Sequence, residues 1–74
     1  MGLKVIYRHV CQTNDFAAVK EWSERIIGHY GWTVSIEFEV ESWSKPKMKP
    51  VLIIYDTVNK PLEQIKLLIA LRWS

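Results

Sequence analysis

Residues 32–40 read WTVSIEFEV, and their unbroken two-residue alternation constrains this chain more than any other feature. Trp32, Val34, Ile36, Phe38 and Val40 fall on one side, while Thr33, Ser35, Glu37, Glu39 and (just beyond) Glu41 fall on the other. Successive side chains of a strand point to opposite faces, so this period predicts a half-buried antiparallel strand with one polar face. A chain of 74 residues has room for one domain, spanning 1–74. At that size about 63% of the unfolded surface is buried, enough for one small core.

The flanking segments complete a compact set of elements. Leu3 to Cys11 is β-branched and aromatic with no Gly or Pro, which predicts a first strand. Its alternation puts Leu3, Val5 and Tyr7 on one face and Lys4, Ile6, Arg8 and Val10 on the other. Gln12 to Asp15 offers oxygen-bearing caps for a helix over Asp15–Tyr30, whose apolar stripe is Phe16, Val19, Trp22, Ile26, Ile27 and Tyr30. Gly31 suits the position after its last turn. Beyond the alternating strand, Ser42 to Pro50 contains two prolines and predicts a connection, because proline cannot donate to a ladder. Val51–Asp56 is apolar on both faces, as in a strand flanked on both sides. Pro61 opens a last helix to about Trp73, with Leu62, Ile65, Leu68 and Ile69 inward, and with Leu67 and Leu71 widening the apolar arc.

The order β-α-β-β-α predicts an α+β fold: a two-layer sandwich with a three-stranded mixed sheet, order 1-3-2, and both helices on one face. That element order resembles a ferredoxin-like fold lacking its last strand. The outer sheet face is expected to carry Ile6, Val10, Leu52 and Ile54, bordered by Lys4 and Arg8 at one edge and by the glutamates at the other. Four aliphatic groups together on a solvated face point to self-association, and a homodimer would offset the thin core of so short a chain.

Composition narrows the chemistry. Ten basic against eight acidic residues give a net charge of +2, too little to predict nucleic-acid binding from the field of the whole chain. A single Cys leaves no disulfide framework and no thiolate zinc site, and the two histidines lack a second ligand at metal spacing, so neither a metal nor a cofactor is expected. Three glycines are too few for a phosphate-cradling loop or a dinucleotide fingerprint. No apolar run reaches the roughly 20 residues of a membrane span and no signal peptide opens the chain, which predicts an intracellular, cytoplasmic protein without membrane contact.

Two places attract functional interest. Cys11 closes the first strand ahead of a helix N-terminus, where a thiol pKa is lowered. Its placement, with Lys49-Pro50 ahead of VLIIY, is similar to the active thiol of thioredoxin-like and selenoprotein-W-like domains and to the proline opposite it. That resemblance implies a redox protein, although Cys11-Gln12-Thr13-Asn14 has no resolving cysteine. The second place is the basic stretch from Trp43 to Lys49, where Lys45, Lys47 and Lys49 accompany an aromatic ring, with Trp73 a further candidate anchor. The expectation is a small interaction or regulatory module that binds a protein partner through Trp43, Lys45, Lys47, Lys49 and Trp73 rather than catalysing a reaction. The alternatives are a thiol redox protein using Cys11 and a nucleic-acid-binding protein using the three lysines.

Overall fold

The computed structural model describes residues 3–39 and 47–73. Their elements run β1 (Val5–Val10), α1 (Phe16–Ile26), β2 (Trp32–Glu39), β3 (Lys47–Tyr55) and α2 (Leu62–Trp73), the β-α-β-β-α order expected from the sequence. The sheet has the order β1-β3-β2. Both hydrogen-bonded pairs are antiparallel, so the sheet is antiparallel rather than mixed. β1 and β2 run in the same direction, but β3 separates them, and no parallel pair forms.

Register decides the core. Trp32 and Val34 stand opposite Ile54 and Leu52, and on the other side Tyr7 and His9 stand opposite the same two residues. Cross-strand partners share a face, so Leu52 and Ile54 point the same way as the apolar side of β2. Both are fully buried, in one cluster with Cys11, Val19, Trp22, Ile27, Ile65, Ile69 and Trp73. The expectation that Leu52 and Ile54 lie on an outer, self-associating face is therefore corrected. VLIIY is apolar at every position, so alternation leaves its facing undetermined, and a one-residue slip reverses every side chain. Ile6 is corrected as well. The β1–β3 register shifts between Val5 and Tyr7, so Ile6 is the extra residue of a bulge and packs against the core. Of the expected outer set only Val10, opposite Val51, lies on the face away from Leu52.

Pro50 lies inside β3, which starts at Lys47 rather than after the prolines. The pairing explains why the strand tolerates it. Tyr55 N–H donates to Gly31 C=O at 2.8 Å, marking that rung as hydrogen-bonded. Alternation from it makes Pro50 opposite Ile36 a rung without hydrogen bonds, so no donor is lost towards β2. Towards β1, the Pro50 C=O accepts from Cys11 N–H at 2.9 Å, while the Cys11 C=O takes its proton from Thr13 N–H instead. The β1 ladder thus ends where proline has nothing to donate.

Helix α1 stops earlier than its apolar stripe suggests. Asp15 caps its start, with Oδ1 accepting from Ala18 N–H at 3.0 Å. Gly28, at φ 127°, turns the chain after Ile27, and its C=O accepts from Trp32 Nε1 at 2.7 Å. Tyr30 consequently lies beyond the helix and is exposed. Gly31, the expected terminator, serves instead as the point of closest approach to the turn after β3.

Candidate functional site

Cys11 sits at the end of β1 with its side chain fully buried. Burial pushes its thiol up to about 11, only partly opposed by a hydrogen bond from the Leu52 backbone. A thiol in that state stays protonated at neutral pH and is a poor nucleophile. The thiol donates to the His9 C=O at 3.9 Å, while the Cys11 backbone N–H makes the rung to the Pro50 C=O at 2.9 Å. Burial outweighs the nearby helix start here, because α1 begins only at Phe16 and its first free amides turn to Asp15. Position in the sequence signalled a reactive thiol; the desolvation came only with the packing of α1 and α2.

Trp73 is not an exposed anchor, which corrects its place among the partner-binding residues. It is buried against Trp22, with ring centroids 6.0 Å apart at 84°, and Arg72 stacks its guanidinium 4.1 Å over the Trp73 ring. An edge-to-face pair of this kind contributes beyond simple burial. Trp43 and Lys45 lie outside the described residues. Lys47 is placed by its backbone opposite Glu39, and Lys49 opposite Glu37. Both register positions pair a lysine with a glutamate. Lys49 Nζ also donates to Gln12 Oε1 at 3.2 Å.

The surface that sequence reasoning missed is the far end of the β2–β3 ladder. On the Leu52 side of the sheet, burial falls away along the strands: Leu52 and Pro50 are covered, whereas Ile36, Phe38 and Met48 are 52%, 62% and 48% exposed. Phe38 stands directly opposite Met48, and Ile36 lies diagonally beside it. The three form one apolar patch continuing the core face past its cover. The alternation of β2 signalled their facing, but only tertiary structure showed that their cover ends at Val34. Leu67 and Leu71 of α2 are also exposed, one turn apart on a single helix.

Among the described residues, no group of three or more His, Cys, Asp or Glu is placed to hold a metal ion. No helix among them is long and apolar enough to cross a membrane. Comparison with family models, curated proteins and solved structures finds no match.

Proposed function

We infer that this chain is a small interaction module whose binding surface is the uncovered end of the β2–β3 ladder. The observation that carries this reading is the joined exposure of Ile36, Phe38 and Met48 on two paired strands. Large apolar groups gathered in one patch next to polar strand faces are the usual makeup of an interface. Lys47 and Lys49 occupy this end of β3, on either side of Met48 in the strand. The reading takes both helices as one layer over Leu52 and Ile54, as in a ferredoxin-like arrangement without the last strand. That layer makes the sheet rigid, and the rigidity lowers the ordering cost of binding at its free end.

The test is site-specific photo-crosslinking with a diazirine side chain at position 38 or 48, and at 67 or 71 for comparison. The four positions are comparably exposed, so a general stickiness labels all of them. Products formed from 38 and 48 alone support the reading. Equal yields from α2 would sink it.

A further inference from the structure

We propose that the partner at this end is a second copy of the chain, joined edge to edge through β2 to continue the sheet as β1-β3-β2-β2-β3-β1. The proposal rests on the binding reading above and names its occupant. β2 is an outer strand of the sheet, and no described strand lies beyond it. The hydrogen-bonded rung at Gly31 and Tyr55 puts the odd-numbered residues of β2 in bonds to β3. The backbone N–H and C=O groups of Trp32, Val34, Ile36 and Phe38 therefore point outward, away from the sheet.

The two edges of this sheet are treated differently. β1 is interrupted by the bulge at Ile6 and carries Arg8, with Lys4 just ahead of it, the usual devices that block pairing. β2 has eight residues in unbroken register with β3, with no bulge and no proline. Such an edge is a template for another strand.

Charge and chemistry favour a copy of β2 itself. A two-fold antiparallel pair centred on Ile36 places Ile36 against its own copy and Val34 against Phe38 twice, covering the two exposed apolar residues of β2. On the other face Ser35 meets Glu37 twice, so each hydroxyl can donate to a carboxylate, and Thr33 meets Glu39. No glutamate opposes a glutamate. Sliding the pair to centre on Glu37 would set the two carboxylates against each other, so repulsion disfavours that register. The sequence of β2 is thus complementary to itself in antiparallel pairing.

The experiment is light scattering across a concentration series, with the 74-residue chain and a synthetic copy carrying an N-methyl group on the Ile36 peptide nitrogen. That nitrogen points outward, so the change blocks edge pairing and leaves the β2–β3 ladder intact. The expected result is a dimer that the N-methyl group weakens about tenfold or more. In a mixed-label NMR sample, the expected contact is an intermolecular one between the Ser35 and Glu37 α-protons. A dimer indifferent to N-methylation, or one lacking that contact, overturns edge pairing. A chain that remains monomeric at high micromolar concentration, yet crosslinks to another protein from positions 38 and 48, overturns the second copy and leaves the binding surface standing. Monomer without position-selective crosslinks overturns both.

Discussion

The Trp73 carbonyl lies 3.2 Å from His9 Nε2, joining the last turn of α2 to β1 across a sequence separation of 64. The same oxygen also accepts from Gln12 N–H at 3.1 Å. Helix carbonyls at a C-terminus lack partners within the helix, and here two donors from the β1 end supply them. The last helix is thereby fastened at the point where Trp73 inserts beside Trp22. His9→Ala should cost about 1 kcal/mol, the net worth of one hydrogen bond. Trp73→Ala should cost about 3–5 kcal/mol, because it leaves a cavity beside Trp22. Denaturant titration of the two variants checks the ratio, and equal costs would mean that the Trp73 ring is not tightly packed beside Trp22.

Glycines 28 and 31 should respond differently to the same change. Both have positive φ, so alanine at either incurs about 1–2 kcal/mol of backbone strain. At Gly28 an added Cβ meets nothing within 4 Å, and strain is the whole expected cost. At Gly31 that atom would lie 2.4 Å from the Val58 Cα, where backbone must move. Gly31→Ala should therefore be markedly the less stable of the two in thermal melts.

Cys11 makes stability depend on alkaline pH. Burial holds its folded pKa at about 11, above the value of 9.0 for a free thiol. Below pH 9 both states keep the proton and the folded state suffers no penalty. Between pH 9 and 11 the unfolded chain loses its proton first, so stability falls as pH rises, by about 2–3 kcal/mol in all. Cys11→Ala should flatten that part of the profile in urea titrations. Alkylation of the native thiol at neutral pH should be slow and should accelerate in denaturant; rapid native labelling would contradict the buried placement.

The exposed residues at the ladder end should be dispensable for folding. Phe38→Ser and Met48→Ser remove little buried surface, so each should change stability by about 0.5 kcal/mol or less. Leu52→Ala, four rungs inward on the same face, should cost about 2–5 kcal/mol. Chemical denaturation of the three variants separates a binding surface from a core face.

Much of this fold was legible without coordinates. The alternation of β2, the stripe of α1, the cap at Asp15 and the helix-opening Pro61 are local signals, because the neighbours that satisfy them lie within a few residues. Element order followed from them, and the central place of β3 followed from its being apolar on both faces. The facing of β3 did not follow, since Val51 to Tyr55 is apolar at every step and only pairing with Gly31 and Trp32 selects a side. The bulge at Ile6 was equally silent, being a property of two strands together. Sequence marked Cys11 and Trp73 as chemically interesting from their types and positions. Tertiary packing alone decided that both are buried, and that Ile36, Phe38 and Met48 form an exposed apolar patch on the sheet, because burial depends on where the covering helices stop.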